Sequence, residues 1–475
     1  MSAEGAVDLC VIGAGAGGLS VASGAARLGA RTVLIECGRM GGDCLNVGCV
    51  PSKALLAAAK RAALIRGAGA FGIEAAAPAV DFAAVMRHVR AVIAAIAPQD
   101  SQERFEAMGV RVLRRQARFL GPGTVAAGDD VITARRIVIA TGARPAIPPI
   151  PGLDRVNYLT NETIFDNETL PAHLVVIGGG PLGLELAQAH RLLGARVTVL
   201  EADRALAKDD PELAAELLAR LRANGIAIAE RTRVLRVAPA GAGIAVTVAE
   251  AAGEREIVAS HLLVAAGRRA ALDGLDLDRA GIAIDAHGLV LDRRLRTTNR
   301  RIYAVGDAAG GPQFTHVAAD HASIVIRNAL FRLPAKVDDR ALPWVTYTAP
   351  ELAQVGLTEA QARARHGADI AVLRAPFAEN DRAQAEHATQ GLVKVVARRN
   401  GSVLGASILG ESAGELIQLW GLAIAAGIRL SRVARMIAPY PTLGEASKRA
   451  AAGFYAPRLF APRTRRLVRL LARFG

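Results

Sequence analysis

The sequence has few aromatic residues, few cysteines and no long apolar run, and each shortage excludes a class of protein. Phe, Trp and Tyr make up 4% of the 475 residues, which argues against binding of single-stranded nucleic acid by base stacking. No apolar run reaches the ~18 residues that a membrane-spanning helix needs. With 52% hydrophobic and 21% charged residues, the chain is neither disordered nor fibrous. At ~150 residues per domain, its length predicts about three domains.

Basic residues exceed acidic ones, and much of the excess lies at the C-terminal end. Lys and Arg number 58 against 44 Asp and Glu, a net charge of +14. Residues 457–475 contain six arginines and no acidic residue, so the other residues carry only +8. This remainder does not indicate a nucleic-acid groove, and we expect no nucleic-acid partner.

The last twelve residues, TRRLVRLLARFG, place leucines and arginines at helical spacing. We expect a terminal helix that packs on the protein's own dimer and leaves its arginines in solvent. The alternative is a basic amphipathic helix that lies on an anionic membrane surface.

All four cysteines lie within the first 49 residues, so they are not a disulfide framework for the whole chain. We expect Cys10 to be buried in the core and Cys37 to be a partly buried bystander. Cys44 and Cys49 form a close pair in GGDCLNVGCVPSK (41–53). In a protein that we expect to be cytoplasmic, such a pair indicates catalysis or metal binding rather than structure.

A redox-active disulfide explains the Cys44–Cys49 pair better than a metal site does. A metal would need two more ligands, and the sequence has neither a second cysteine pair nor a histidine cluster. A helix is predicted from Ala54 onward, and its positive end would favour the thiolate form. We therefore predict a redox disulfide and no metal site, with two buried structural cysteines as the alternative.

An internal repeat predicts two nucleotide-binding units. LCVIGAGAGG (9–18) matches LVVIGGGPLG (174–183), and LGARTVLIE (28–36) matches LGARVTVLE (193–201), both at an offset of 165. Each copy predicts a strand, a glycine turn, a helix and a second strand that ends in an acid, Glu36 or Glu201. Such glycines allow a tight turn, close approach to a pyrophosphate and close helix packing. The glycines concerned are Gly13, Gly15 and Gly18 in the first copy, and Gly178, Gly180 and Gly183 in the second.

A second repeat completes each unit. IVIATG (137–142) resembles LLVAAG (262–267) at an offset of 125, and each is a strand that ends in a glycine, Gly142 or Gly267. A later strand over residues 301–305 precedes Asp307, at the strand end where α/β folds bind ligands. Two dinucleotide units and one dithiol predict that a flavin carries electrons from a nicotinamide cofactor to the disulfide.

The motifs GAGAGG, GGDCLNVGCVPSK, ATGARP, GGGPLGLE and YAVGD resemble those of the flavin-dependent disulfide reductases, over roughly residues 7–450. That family includes dihydrolipoamide dehydrogenase, glutathione reductase and mercuric reductase. The resemblance implies an α/β fold with two Rossmann-like dinucleotide-binding domains and an α+β C-terminal dimerisation domain. The implied ranges are an FAD-binding part with the disulfide (1–150), an NAD(P)-binding domain (151–268), a central FAD-binding part (269–340), and a dimerisation domain with the basic tail (341–475).

The resemblance also implies a role for particular residues. Cys49 would face the flavin as the charge-transfer thiolate, and Cys44 would be the outer sulfur that meets the substrate. Lys53 and Glu185 would pair beside the flavin, and the C-terminal domain would complete the active site of the other subunit in a homodimer. The expected FAD-binding residues are Gly13, Gly15, Gly18, Glu36, Gly42, Asp43, Lys53, Thr141, Gly142, Asp307, Thr315 and His316. Those expected for the nicotinamide cofactor are Gly178, Gly180, Gly183, Glu201 and Gly267.

The residues of the second unit favour NADH. Glu201 would accept hydrogen bonds from a ribose 2′-hydroxyl and repel a 2′-phosphate. Gly183 favours the same choice, because relatives specific for NADPH often carry Ala there. Arg204 lies close enough in the sequence to keep NADPH possible.

One departure from the family pattern leaves the electron acceptor open. Where thiol-directed members have His before Pro-Thr, this chain has Tyr440 in PYPTLGE, with Glu445 retained. An unperturbed Tyr has a pKa near ~10 and is a poor base at neutral pH, which argues against an ordinary dihydrolipoamide dehydrogenase. Mercuric reductases have a Tyr near this place, but we expect neither their C-terminal cysteine pair nor their metal-carrier domain here. His316 is an alternative acid or base.

The sequence therefore predicts an FAD-dependent enzyme that passes electrons from NADH to the Cys44–Cys49 disulfide and on to a small disulfide or a thiol-bound metal ion. Tyr440 and Glu445 are the candidate acid partners. Two alternatives stay open, an NADH:quinone or diaphorase-type flavoprotein and a non-catalytic flavoprotein subunit.

Overall fold

The computed structural model describes residues 6–250 and 253–474, which divide into two compact units. The first unit comprises the described residues up to Gly178, Ala189–Leu200 and Thr232–Val337. The second comprises Gly179–Gln188, Glu201–Arg231 and the described residues from Asp338 onward. The four domain ranges expected from the sequence stay predictions.

The strands and helices alternate along much of the chain. The strands are β1 (Val7–Ile12), β2 (Thr32–Ile35), β3 (Arg111–Leu113), β4 (Ala117–Gly121), β5 (Thr124–Ala127), β6 (Asp130–Ile139), β7 (Ala143–Pro145), β8 (His173–Ile177), β9 (Arg196–Leu200), β10 (Ile226–Ala229), β11 (Arg233–Ala240), β12 (Gly243–Glu250), β13 (Gly253–Ala259), β14 (His261–Val264), β15 (Arg268–Ala270), β16 (Ile284–Asp285), β17 (Gly288–Leu289), β18 (Ile302–Ala304), β19 (Pro343–Thr346), β20 (Glu351–Gly356), β21 (Ile370–Pro376), β22 (Leu392–Arg398) and β23 (Val403–Gly410). The helices are α1 (Ala16–Arg27), α2 (Gly42–Asn46), α3 (Cys49–Gly67), α4 (Phe82–Ile96), α5 (Gln102–Ala107), α6 (Pro181–Leu193), α7 (Pro211–Ala223), α8 (Thr315–Ala329), α9 (Glu359–His366), α10 (Asp381–Ala385), α11 (Ala413–Leu416), α12 (Gln418–Ala425), α13 (Leu430–Arg435), α14 (Glu445–Gly453), α15 (Ala456–Leu459) and α16 (Pro462–Leu471).

A largely parallel sheet forms the centre of the first unit. β1 pairs in parallel with β2 and β6, β2 with β3, and β6 with β18. The last four residues of β1, Leu9 to Ile12, are buried on both faces of the sheet, as expected for a parallel strand covered on both sides. β1 and β18 confirm the predicted strands before the first glycine turn and before Asp307. β6 confirms a strand in IVIATG but ends at Ile139, so Gly142 follows the strand rather than ending it.

The glycine turn after β1 brings two stretches of backbone into contact. Gly13 has a φ of +107°, and a Cβ there would overlap the carbonyl oxygen of Ala140. A Cβ at Gly18, in α1, would overlap the carbonyl oxygen of Gly13. The first and third glycines of the motif are therefore required by packing, which is the role predicted for them.

The second copy of the repeat has the same construction. β8 pairs in parallel with β9 and β14, and Gly178 follows β8 with a φ of +116°. A Cβ at Gly178 would overlap the carbonyl oxygen of Ala265, which follows β14. Ala265 lies 125 residues after Ala140 and Gly178 lies 165 after Gly13, so both sequence offsets reappear as one backbone contact.

The second unit contains an antiparallel sheet covered by helices. Its strand order is β19-β20-β23-β22-β21, and helices α11 to α14 contribute Trp420 and other apolar residues to its core. Lys394 of β22 is buried, and its Nζ lies within 3.0 Å of Asp210, Glu212 and Glu359. This arrangement agrees with the predicted α+β character of the C-terminal part.

No helix among the described residues is long and apolar enough to cross a lipid bilayer.

The packing at the first glycine turn predicts opposite effects for two changes in the same helix. Gly18→Ala should lower the free energy of unfolding by about 1–3 kcal/mol, because its methyl group would overlap the backbone. Gly24→Ala is the matched control, since its Cβ would lie 3.4 Å from the Ile326 side chain, an ordinary contact. This control should raise the free energy of unfolding by about 0.5–1 kcal/mol. Urea unfolding followed by circular dichroism measures both, and equal effects would contradict the packing argument.

Candidate active site

The two cysteines of the predicted disulfide lie in two successive helical segments. Cys44 belongs to the short helix α2, and Cys49 is the first residue of α3, which has 19 residues. The prediction that this helix begins at Ala54 was wrong by five residues. Pro51 is tolerated because the first turn of a helix has no N–H partners to lose, so the helix extends back to Cys49.

The two sulfurs share a hydrogen bond. Both residues are thiols in the structure, and the pKa of Cys44 is raised, first by its hydrogen bond with Cys49, then by burial and by the charge of Cys49. Cys49 Sγ lies 3.4 Å from Oγ1 of Thr315. The positive end of α3 favours negative charge at its first residue. The raised pKa of Cys44 favours the protonated form of that sulfur, and the thiolate expected at Cys49 stays a prediction.

The exposure of the two sulfurs does not separate an inner from an outer one. The Cys49 side chain is exposed and that of Cys44 is half-buried. The assignment of Cys49 to the flavin side and of Cys44 to the substrate side stays a prediction.

Thr315 and His316 are the first two residues of helix α8, and Thr315 lies beside the dithiol. Thr315 contacts Cys49 although 266 residues separate them in the chain. The His316 ring stacks on Phe314 with a centroid distance of 5.3 Å.

The two strand-end acids hold equivalent positions in the two repeats. Glu36 accepts hydrogen bonds from the backbone N–H groups of Ala14 and Gly38, each at 2.6 Å. Glu201 accepts from Gly179 at 2.7 Å and from Asp203 at 2.9 Å. Every residue of the second set lies 165 positions after its counterpart in the first. Each carboxylate is thus fixed at the mouth of a glycine turn, where a ribose would lie.

An arginine that the sequence reasoning missed lies between two of the expected FAD-binding acids. Arg268 Nη2 contacts Asp43, lies 3.4 Å from Oδ2 of Asp307 and donates to the carbonyl of Ala143 at 3.2 Å. Burial raises the pKa of Asp307, Arg268 lowers it, and Asp43 raises it again. Its position directly after Gly267 was the available signal, since the repeat gives that glycine the same place as Gly142.

The surroundings of these residues fit FAD. Thr141 Oγ1 and Arg268 Nε are buried without a hydrogen-bond partner among the described residues. A Cβ at Gly42 would lie 2.6 Å from Cα of Gly15, so backbone alone lines this part of the turn. A phosphate at the start of α1 would meet free N–H groups there, and a bound cofactor would supply partners for the two orphaned atoms.

The remaining expected cofactor residues have backbone positions that suit close approach. Gly142 and Gly267 have φ values of +72° and +124°, and a Cβ at either would meet open space. Gly180 also faces open space, whereas Gly183 is buried within α6.

Lys53 and Glu185 lie on helices of different units, so their expected pairing stays a prediction. Lys53 is half-buried one turn after Cys49 on α3. Glu185 is 2% exposed on α6, and its Oε1 accepts the N–H of Tyr347 at 2.9 Å.

Tyr440 lies in an exposed loop beside a carboxylate that the sequence did not reveal. Its Oη donates to Oδ2 of Asp381 at 2.9 Å, and 71% of the residue is exposed. The hydrogen bond and charge of Asp381 raise the pKa of Tyr440, with smaller contributions from burial and from the charge of Glu445. Glu445 itself accepts the N–H of Thr442 at 3.3 Å. The phenol therefore holds its proton more firmly than an ordinary tyrosine.

The other two cysteines lie apart from this chemistry. Cys10 is buried in β1, where burial raises its pKa to about 12, which confirms the core prediction. Cys37 is exposed, so the prediction that it is partly buried was wrong. It follows the strand-end acid Glu36, where β2 has already left the core.

Arg268 is predicted to be required for FAD retention. In Arg268→Gln, the carboxylates of Asp43 and Asp307 would lose the cation between them, and FAD binding should weaken about tenfold or more. The double variant Arg268→Gln/Asp43→Asn should recover part of the loss. Arg269→Gln is the control, because Arg269 pairs with Asp273 in solvent. Fluorescence titration of the apoprotein with FAD measures the affinities, and equal affinity in Arg268→Gln and Arg269→Gln would contradict the assignment.

The chain matches a known protein family along most of its length. Residues 7–322 match the pyridine nucleotide-disulphide oxidoreductase family, and residues 342–451 match its dimerisation domain. The chain is 40% identical over 457 residues to a mercuric reductase of Streptomyces lividans, covering 94% of this chain and 96% of that protein. It is 36% identical over 453 residues to a dihydrolipoyl dehydrogenase of Geobacillus stearothermophilus, covering 94% of this chain and 95% of the relative.

A solved structure has the same fold. The HOCl-induced flavoprotein disulfide reductase RclA from Escherichia coli, in its Cu(II) complex, superimposes with a TM-score of 0.85 at 30% identity. The match covers 94% of this chain and 99% of that one. The predicted fold class, enzyme class and cofactors are thereby confirmed: the protein is an FAD-dependent oxidoreductase with NAD(P)H as electron donor, and its dimerisation domain supports a homodimer. The chain belongs to the pyridine nucleotide-disulphide oxidoreductase family.

Proposed function

We propose that the protein is a reductase that takes electrons from NADH and delivers them, through the Cys44–Cys49 dithiol, to a small disulfide or a thiol-bound soft metal ion. The observation that carries this direction is the Tyr440 phenol, whose pKa is raised by Asp381. When bound, FAD would supply the carrier that links the two-electron donor NADH to the disulfide. The residues of the chain supply the binding, the orientation and the protons.

The dithiol is arranged for the product of disulfide reduction. Reducing the Cys44–Cys49 bond takes two electrons and one proton and yields one thiol and one thiolate. The raised pKa of Cys44 favours the proton on that sulfur, and the N-terminus of α3 favours the charge on Cys49. Transfer of the pair to an acceptor disulfide re-forms the Cys44–Cys49 bond and releases two thiols, for which one further proton is needed.

Tyr440 suits the stabilisation of a departing thiolate better than the removal of a proton from a thiol. Oxidation of a dihydrolipoyl thiol needs a base, and a phenol with a raised pKa is not one at neutral pH. Reduction of a disulfide releases a thiolate, which the protonated Tyr440 hydroxyl can stabilise by donating a hydrogen bond while it keeps its proton. A soft metal ion needs neither, since thiolates bind it directly.

The relatives support these two classes of acceptor. Several of the similar proteins are named mercuric reductases, and the matching RclA structure is a Cu(II) complex of a flavoprotein disulfide reductase. Mercuric and cupric ions are thiophilic, and the Cys44–Cys49 pair offers two adjacent sulfurs. We propose that such ions reach this chain as thiol complexes.

We further propose NADH as the preferred donor. The Glu201 carboxylate is fixed by two backbone N–H groups at the end of β9, so it cannot turn away from a 2′-phosphate. A fixed negative charge repels a phosphate and accepts hydrogen bonds from a hydroxyl. We expect the reaction to take place in the cytoplasm, where the NADH pool is available.

The pKa of Tyr440 is predicted to depend on Asp381. In Asp381→Asn, the anion that holds the phenolic proton is gone, so the pKa should fall toward its ordinary value and phenolate should form at lower pH than in the parent protein. Spectrophotometric titration of tyrosinate absorbance measures the shift, with Tyr440→Phe identifying the transition. An unchanged titration curve in Asp381→Asn would contradict the assigned hydrogen bond.

Turnover assays test both the electron path through the Cys44–Cys49 dithiol and the proposed direction of the reaction. Cys44→Ser should lower NADH-dependent reduction of a disulfide or a Hg(II)–dithiolate complex by about 100-fold or more, because the outer thiol is lost. Cys37→Ser is the control, an exposed cysteine outside the pair. Tyr440→His should raise oxidation of dihydrolipoamide by about tenfold or more, since an imidazole can act as base at neutral pH.

Two outcomes would contradict this proposal. Full acceptor turnover in Cys44→Ser would indicate direct transfer from the flavin, as in a diaphorase that reduces quinones. Rapid dihydrolipoamide oxidation by the parent protein, unchanged by Tyr440→His, would reverse the proposed direction. Running each assay with NADH and with NADPH measures the donor preference.

A further inference from the structure

The C-terminal helix α16 has no buried residue within the chain. It begins at Pro462, and the match to the family's dimerisation domain ends at residue 451. The helix therefore lies outside the segment that the family uses for dimerisation. Packing into the core of this chain therefore does not explain why the helix carries apolar side chains.

From Leu467 onward, one side of α16 and its continuation is apolar and open to solvent. At ~100° per residue, the apolar side chains fall on a single arc of the helix. These apolar residues are Leu467, Val468, Leu470, Leu471 and Phe474. Each of them is between 50% and 81% exposed. The exposed Leu459 and Phe460 precede the helix. A large exposed apolar patch on a globular protein marks a surface that binds something.

The opposite side of the helix is uniformly basic. Arg465, Arg466, Arg469 and Arg473 occupy the arc that the apolar residues leave free. Residues 446–475 contain eight Lys or Arg and no Asp or Glu. No acidic neighbour in the sequence can neutralise this charge, so the segment attracts an anionic surface.

We propose that this segment binds the protein to an anionic lipid surface, with the apolar arc entering the headgroup region and the arginines contacting lipid phosphates. Nucleic acid would satisfy the arginines but would leave five apolar side chains in water. A second copy of the helix would cover the apolar arc but would bring together two segments of the same positive charge. A lipid surface satisfies both faces at once. Two helices in a homodimer would bind more firmly than one.

Vesicle flotation with the FAD-loaded full chain tests the proposal. Vesicles of phosphatidylcholine with about one third phosphatidylglycerol are compared with phosphatidylcholine alone. The parent protein should float with the anionic vesicles and stay behind with the neutral ones, and added salt should weaken the binding through screening. Leu470→Ser/Leu471→Ser and Arg466→Gln/Arg469→Gln should each reduce the bound fraction at least about tenfold, because each removes one of the two required faces.

A matched control removes the same charge elsewhere. Arg220→Gln/Arg365→Gln changes two exposed arginines on α7 and α9 and should bind vesicles like the parent protein. Light scattering and a duplex DNA binding assay accompany each variant. The proposal is overturned if Leu470→Ser/Leu471→Ser turns a dimer into a monomer, which would assign the apolar arc to a second copy. It is also overturned if neither vesicle binds, or if DNA binds the parent and Leu470→Ser/Leu471→Ser equally while vesicles do not.

Discussion

The arrangement of the cofactor-facing residues depends on the contact between the backbone of Gly13 and the carbonyl of Ala140. No side chain fits between them, so β1 and β6 can lie side by side with their carboxyl ends at one level. Thr141 and Gly142 follow Ala140, and Gly15 and helix α1 follow Gly13. The same contact between Gly178 and Ala265 organises the second repeat. One steric constraint, used twice, therefore builds both dinucleotide-binding turns.

Charged and hydrogen-bonding neighbours act on three of the expected functional groups. Arg268 contacts two carboxylates that would otherwise repel each other and a pyrophosphate. The hydrogen bond with Cys49 raises the pKa of Cys44. Asp381 keeps the Tyr440 phenol protonated. The first two pairings lie in the first unit and the third in the second, and the last two each favour a proton on a defined atom.

Most of the fold could be predicted from the repeated motifs. Strict offsets of 165 and 125 residues located the strands, the glycine turns and both strand-end acids, because local backbone geometry dictates those residue types. The dithiol segment was predicted too, although α3 begins at Cys49 rather than Ala54, since Pro51 marks a first turn as well as it marks a break.

Arg268 and Asp381 could not be predicted in the same way. Each acts through a partner that is distant in sequence, Asp43 in one case and Tyr440 in the other. The repeat marks the position of Arg268 after Gly267, but neither spacing nor periodicity identifies its partners, and no pattern marks Asp381. The exposure of Cys37 had a similar origin, because a residue next to a buried strand can face either way. The partners and the exposure of such residues are set by tertiary contacts and not by the local sequence pattern.

Above all, we propose that electrons from NADH reduce the Cys44–Cys49 disulfide and leave Cys49 as a thiolate. Anaerobic titration of the FAD-loaded protein with NADH, followed by its visible spectrum, tests it most directly. A long-wavelength charge-transfer band between the Cys49 thiolate and the flavin is the predicted result, and it should be absent from Cys49→Ser. Bleaching of the flavin without that band in the parent protein would contradict the account, because the electrons would then bypass the dithiol.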